Sequence, residues 1–81
     1  MNEEQTLTKL KELSKEFFQK TNGERLRDES NYRQTMMEVC YASKSKSPAF
    51  NDVRDAMIRT LALGKLDPIP AQISLLSELI N

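Results

Sequence analysis

Residues 47–68 read SPAFNDVRDAMIRTLALGKLDP, and this stretch decides the fold because it contains a helix together with both of its boundaries. Ser47 is a preferred N-cap residue, and Pro48 suits the first helical position, where no backbone donor is needed. Gly64 is a preferred residue just beyond a helix end. The pattern predicts a helix over 48–63. Its apolar face has the three- and four-residue spacing of one helix side and consists of Phe50, Val53, Met57 and Leu61, flanked by Ile58.

The N-terminal half has weaker boundary signals of the same kinds. Asn2, with Gln5 three residues later, has the spacing of a capping box at the start of a first helix. Gly23 follows an asparagine and is expected to end that helix. The second helix is less regular, and either Asp28 or Ser30 can cap it.

The last helix is predicted to begin with the same signal as the third, an N-cap residue followed by proline. Asp67 and Pro68 repeat the N-cap and first-position pair, and the short polar linker 43–47 separates the second helix from the third. No alternating strand pattern competes, and short connections place successive helices antiparallel. The sequence predicts an all-α, antiparallel up-down four-helix bundle in a single domain over 1–81, with helices over 3–21, 28–43, 48–63 and 68–80.

The apolar stripes of the other three helices complete the expected core. They comprise Leu7, Leu10, Leu13 (or Ser14), Phe17 and Phe18 in the first helix; Leu26, Tyr32, Met36, Val39 and Cys40 in the second; and Ile73, Leu76, Leu79 and Ile80 in the fourth. Cys40 lies within its stripe, so we expect a buried apolar residue rather than a reactive thiol.

Composition excludes several kinds of active site. The 81 residues include no histidine and one cysteine, so a His-based acid–base pair, a thiol–His dyad and a Cys/His zinc site are all absent. Two isolated glycines cannot form a phosphate-binding loop. We therefore expect no enzymatic activity, no catalytic residue, no cofactor and no metal. The polar N-terminal segment and the single cysteine favour an intracellular protein.

Charge points to protein contacts rather than to nucleic acid. Twelve basic and twelve acidic side chains give a net charge of zero, which is unlike the basic surface of a nucleic-acid-binding protein. Basic residues nevertheless cluster along the chain from the linker to the turn after the third helix. They are either an ordinary solvated surface or a partner-binding surface, and the candidates are Lys44, Lys46, Arg54, Arg59 and Lys65.

Residues 47–81 resemble the enterocin A immunity family, the immunity proteins of the pediocin-like bacteriocins. The resemblance consists of an amphipathic helix, a short turn and a final helix, taken in that order and at that spacing, with a looser match in the first half. The turn and the final helix carry it through Gly64, Lys65, Leu66, Asp67, Gln72, Leu75, Leu76 and Leu79.

This resemblance implies an antiparallel four-helix bundle that protects a bacterium from a bacteriocin by binding. The implied partner is the membrane component of the mannose phosphotransferase system with bacteriocin bound to it, reached from the cytoplasm at the inner face of the membrane. Family specificity is attributed to the C-terminal half, which by position points to Arg54, Arg59 and Lys65. Direct lipid contact and the choice between a monomer and a weak homodimer stay open.

The alternative is a small helical adaptor or homodimeric regulatory module without catalytic activity. The apolar residues Leu63, Leu66 and Leu75 lie outside the main stripes and favour this alternative. They could complete a second apolar layer across a two-fold axis.

Overall fold

Four α-helices form the chain, which the computed structural model describes over residues 1–80. They are α1 (Glu3–Phe18), α2 (Asn22–Ala42), α3 (Pro48–Ala62) and α4 (Ile69–Ile80), and no strand occurs within this range. Each helix packs against the next, and α1 also packs against α4. The closed cycle of contacts confirms the predicted all-α four-helix bundle. None of the helices in this range is long and apolar enough to cross a membrane.

Hydrogen bonds between distant residues establish how the helices run. The Met1 nitrogen donates to the Ala42 carbonyl at 2.9 Å, so the start of α1 lies beside the end of α2. Gln72 donates to Thr60 at 3.1 Å, which joins the end of α3 to the start of α4. One end of the bundle, the linker end, contains residues 1–2 and 43–47. The opposite end, the turn end, contains residues 19–21 and 63–68.

Two predicted N-caps are confirmed. The Asn2 side chain accepts from the Gln5 backbone at 2.8 Å, and the Gln5 side chain accepts from the Asn2 backbone at 3.0 Å. Ser47 accepts a hydrogen bond from the Phe50 backbone at 3.2 Å, with Pro48 following it in the first turn. These bonds supply partners for amide groups that lack intrahelical acceptors.

Gly64 ends α3 as predicted, and its geometry explains why glycine is there. Its φ angle is +75°, in the left-handed region that other residues adopt only at a cost. The Gly64 nitrogen donates to Leu61, and the Lys65 nitrogen donates to Thr60, both at 3.0 Å. This pair of bonds is the Schellman motif, which satisfies the last carbonyl groups of the helix.

The predicted start of α2 at residue 28 is wrong. The helix begins six residues earlier, at Asn22, while α1 ends at Phe18 rather than at residue 21. Gly23 therefore lies in the first turn of α2 instead of terminating α1. Thr21 is the N-cap in an extended conformation, and the Arg25 nitrogen donates to its carbonyl at 2.9 Å. The other bounds agree within one residue, since α3 ends at 62 and α4 begins at 69.

The core contains most of the predicted apolar residues. Two assignments are wrong, because Leu26 is 72% exposed and Leu79 is 45% exposed. In α4 the buried stripe continues from Leu76 to Ile80, which leaves Leu79 at its edge. The buried apolar residues are Leu7, Leu10, Phe17, Tyr32, Met36, Val39, Cys40, Phe50, Met57, Leu61, Ile69, Ile73 and Leu76.

Candidate functional site

The five basic residues selected from the sequence do not form one cluster. Lys44 and Lys46 are exposed at the linker end, whereas Lys65 is exposed at the turn end. The 15 residues of α3 separate the two ends by about 22 Å, at 1.5 Å per residue. A partner that contacts all five residues would have to span this distance along α3.

Two of the five lie on α3 itself, and they differ in exposure. The Arg54 side chain is 20% exposed and binds Asp55, with its Nη2 3.0 Å and its Nε 3.1 Å from the same carboxylate oxygen. Arg59 is exposed and forms no ion pair within residues 1–80. Arg59 and Lys65 are therefore the members best placed to meet a partner at the C-terminal half.

A cavity of about 600 Å³ opens at the turn end of the bundle, between the start of α2 and the α3–α4 turn. This volume lies within the range of about 300–1,000 Å³ that is usual for small-molecule sites. Only Lys65 among the predicted site residues lies on it. We call it the turn-end cavity, and it is lined by Phe17, Phe18, Asn22, Arg25, Leu26, Glu29, Gly64, Lys65, Leu66, Asp67 and Pro68.

Aromatic rings form the apolar side of the turn-end cavity. Phe17 is buried and stacks on Tyr32, with ring centroids 4.0 Å apart, while Phe18 meets Phe17 edge to face at 5.2 Å. Burial raises the pKa of Tyr32 to about 12, so its hydroxyl group stays neutral. The Arg25 guanidinium lies 5.4 Å from the centre of the Phe18 ring, which is within cation–π distance.

Two arginines of α2 at this end retain unused hydrogen-bond donors. The Nε atoms of Arg25 and Arg33 are shielded from solvent and meet no acceptor in residues 1–80. Arg25 uses another guanidinium nitrogen to bind the Asn22 side chain. Arg33 lies against Gly64, its Nη1 about 3.5 Å from where a β-carbon of that residue would be. The two arginines are not alone in this, because five other shielded side-chain atoms in residues 1–80 also lack a partner, in Thr6, Tyr32, Ser43, Asn51 and Gln72.

Glu29 lies one helical turn from each of these arginines. It lines the turn-end cavity, yet neither Arg25 nor Arg33 forms an ion pair with it. Such i, i+4 pairs are within reach of each other on a helix surface. Glu29 and Asp67 therefore give the cavity wall two acidic side chains beside the two basic ones, Arg25 and Lys65.

The thiol of Cys40 is the other titratable group in the core, and it is not reactive. Cys40 is fully buried, and burial raises the pKa of its thiol to about 11, which keeps it protonated and unreactive at neutral pH. No group of three or more potential metal-ligating side chains comes together in the described part of the chain.

Sequence reasoning missed the turn-end cavity because its walls come from distant parts of the chain. Phe18 and Leu66 are 48 positions apart, and no local pattern connects them. The sequence assigned Leu26 to the apolar stripe of the second helix, whereas the structure places it, largely exposed, on the wall of this cavity.

The geometry thus offers two candidate surfaces, the exposed cations of the C-terminal half and the turn-end cavity. Both meet at Lys65, which is exposed and lies beside the Schellman turn. Comparisons of the chain with protein-family models, with curated proteins and with solved structures found no match.

Proposed function

We propose that this protein is a bacteriocin immunity protein, which protects a cell by binding rather than by chemistry. In this proposal it acts in the cytoplasm, at the inner face of the membrane. Its partner is the membrane component of the mannose phosphotransferase system with a pediocin-like bacteriocin bound to it. The observation that carries the proposal is the resemblance of residues 47–81, a stretch that includes α3, the Gly64 turn and α4.

Exposure of charge on this half supports a binding role. Arg59 and Lys65 are exposed near the turn end and form no ion pairs within residues 1–80. Their solvation leaves them free to meet acidic groups of a partner, where charges contribute mainly to specificity and to the rate of association. Arg54 is excluded from this set because Asp55 already binds it.

A survival assay tests the proposal. The protein is expressed in a sensitive lactic acid bacterium, which is then challenged with a panel of pediocin-like bacteriocins. We expect protection by the wild type and its loss in the double variant Arg59→Ala/Lys65→Ala. The matched control is Lys9→Ala/Lys15→Ala, which removes two exposed cations from α1 and should still protect. Absence of protection by the wild type across the panel would overturn the proposal.

A homodimeric adaptor is the second candidate, and the exposed leucines favour it. Leu63 is 71% exposed, Leu75 is 50% exposed and Leu79 is 45% exposed, all on α4 or at the end of α3. Leu66, expected to share this role, is instead partly buried against the core. Sedimentation at high micromolar concentration distinguishes the candidates: a strictly monomeric protein contradicts the dimer, and a dimer that Leu75→Glu dissociates supports it.

A further inference from the structure

We propose that the first ten residues of α2, 22–31, form an arm that opens by local unfolding and uncovers the turn-end cavity while the rest of the bundle stays folded. We call this segment the α2 arm, and its hinge is at Tyr32. This opening goes beyond the immunity function proposed above, and its test is independent of that function.

The α2 arm contains no buried residue, unlike the starts of the other three helices. Thr6, Phe50 and Ile69 are buried within the first four residues of α1, α3 and α4, respectively. In α2 the first buried residue is Tyr32, so residues 22–31 contribute none, and half of their side chains are charged. A helix of about ten residues is marginal in water without tertiary packing.

The local signals that stabilise a helix start are also weak in the α2 arm. Its N-cap, Thr21, makes no side-chain hydrogen bond, and Gly23 lies in the first turn with open space around it. Glycine weakens a helix because it loses more conformational freedom on folding than any other residue. The one apolar side chain of the arm, Leu26, is 72% exposed and gains little from burial. The arm therefore depends on the few contacts that reach it from other segments.

Two polar contacts connect the α2 arm to the segment that precedes it. The Arg25 guanidinium lies 5.4 Å from the centre of the Phe18 ring, and Lys20 donates to the Asp28 carboxylate at 2.6 Å. Ion pairs that are open to solvent, such as the second contact, stabilise a fold only slightly. Across the cavity, no hydrogen bond joins the arm to residues 63–68 within residues 1–80. No polar contact therefore closes the arm onto the α3–α4 turn.

The well-packed part of α2 begins directly after the arm. Tyr32 is 5% exposed, and its ring stacks on Phe17 with centroids 4.0 Å apart. Arg33 follows and lies against Gly64 of the α3–α4 turn. From this point buried residues recur along α2, beginning with Met36. Unfolding of the arm leaves all of these contacts in place, so only the turn end opens.

Opening of the α2 arm removes one wall of the turn-end cavity. Asn22, Arg25, Leu26 and Glu29 form that wall, and all four belong to the arm. The Phe18 ring, which the Arg25 guanidinium covers in the closed state, then becomes accessible from the side of α2.

Native-state hydrogen exchange, followed by amide resonances, tests the proposal on the wild-type protein. After correction for intrinsic rates, we expect the amides of residues 26–31 to exchange about a hundredfold faster than those of residues 36–40. The amides of 26–31 should share one opening free energy, with a step at Tyr32, because they unfold together. Simple fraying instead gives a gradient from the helix end. Such a gradient, or equal protection of the two segments, would overturn the proposal.

Two variants distinguish local opening from opening of the whole bundle. Gly23→Ala should slow exchange of residues 26–31 about two- to fivefold, because alanine stabilises the helix of the arm. The matched control at the linker end is Ser47→Ala, which weakens the α3 cap. It should speed exchange of residues 36–40 and leave that of 26–31 unchanged. Equal acceleration of both segments by Ser47→Ala would contradict the proposal, as would unchanged exchange of 26–31 in Gly23→Ala.

Discussion

The two ends of the bundle are built differently. At the linker end, hydrogen bonds cross between segments: Lys44 donates to the Met1 carbonyl at 2.7 Å, Ser45 donates to the Glu3 carboxylate, and Asn51 donates to the Ser45 carbonyl at 3.1 Å. At the turn end no hydrogen bond joins residues 19–29 to residues 63–68 within the described chain. The polar groups there bond to near neighbours or keep unused donors.

This difference means that the linker end contributes more to stability and that the turn end is better suited to binding. Polar groups at the linker end fix one segment to another, although the Ser43 Oγ and Asn51 Oδ1 atoms there also lack partners within residues 1–80. The turn end keeps a cavity, two shielded donors and an exposed leucine, features that cost stability unless something binds to them. We therefore expect substitutions to be more damaging at the linker end and ligand effects to be larger at the turn end.

The largest contrast is expected between two phenylalanines. Phe50 lies at the linker end with 1% of its surface exposed, so Phe50→Ala should cost roughly 3–5 kcal/mol of unfolding free energy through lost burial and a residual cavity. Phe18 is only partly buried and borders the turn-end cavity, so Phe18→Ala should cost about 1 kcal/mol. Urea denaturation of both variants measures the difference, and equal midpoints would contradict the contrast.

The two glycines should respond with opposite signs. Gly64 has a φ angle of +75°, so Gly64→Ala should destabilise by about 1–2 kcal/mol through backbone strain, because the added methyl would meet Arg33 only at ordinary contact distance. Gly23 lies in the first turn of α2 with open space around it, and Gly23→Ala should stabilise by about 0.4–1 kcal/mol. Thermal unfolding checks both, and destabilisation by Gly23→Ala would mean that its backbone is not helical.

A smaller contrast separates the two helix caps. Ser47 accepts a bond from the Phe50 backbone, so Ser47→Ala should cost about 1 kcal/mol of unfolding free energy. Thr21 caps α2 with no side-chain hydrogen bond, so Thr21→Ala should be nearly neutral. Guanidinium denaturation of the two single variants is the measurement. A loss at Thr21 as large as the loss at Ser47 would show that the Thr21 hydroxyl does bond in solution.

The smallest effect concerns an exposed ion pair at the turn end. Lys20 donates to Asp28 at 2.6 Å, and this bond lowers the pKa of Asp28 below its ordinary value of 3.8. A lowered folded-state pKa contributes stability at higher pH, and this contribution is lost as the pH falls from about 4 through the folded value. Lys20→Gln should raise the pKa of Asp28, as measured by carboxyl chemical shifts. An unchanged pKa would contradict the pairing.

Local signals in the sequence were sufficient for most of the fold. Asn2, Ser47 and Gly64 each perform the capping role that residue type and spacing indicate, because capping depends on a few adjacent residues. The start of α2 was missed because the residues around it give no clear local signal for a helix start. Its first turns contain no apolar stripe, and Gly23 is typical of a helix end. The contact of Arg25 with the Phe18 ring joins these turns to α1, and such a tertiary contact cannot be seen in the local sequence.

The candidate site was less accessible to sequence reasoning than the fold. The five basic residues were grouped by proximity along the chain, but an α-helix of 15 residues places its ends on opposite sides of so small a bundle. The turn-end cavity depends on two turns that meet only after folding. Arg25 is an example. Its shielded donor without an acceptor is a property of the packed structure, and neither composition nor periodicity predicts it.

Because Cys40 is completely buried, its reaction with a thiol reagent can be used to measure how often the helix bundle opens. The chain contains no second cysteine, and a thiol reagent reacts with the thiolate, which this buried group with a pKa of about 11 rarely provides. Labelling of the native protein must therefore wait for the surrounding helices to separate. When reclosing is faster than labelling, the rate measures the equilibrium population of opened molecules directly, without an introduced probe.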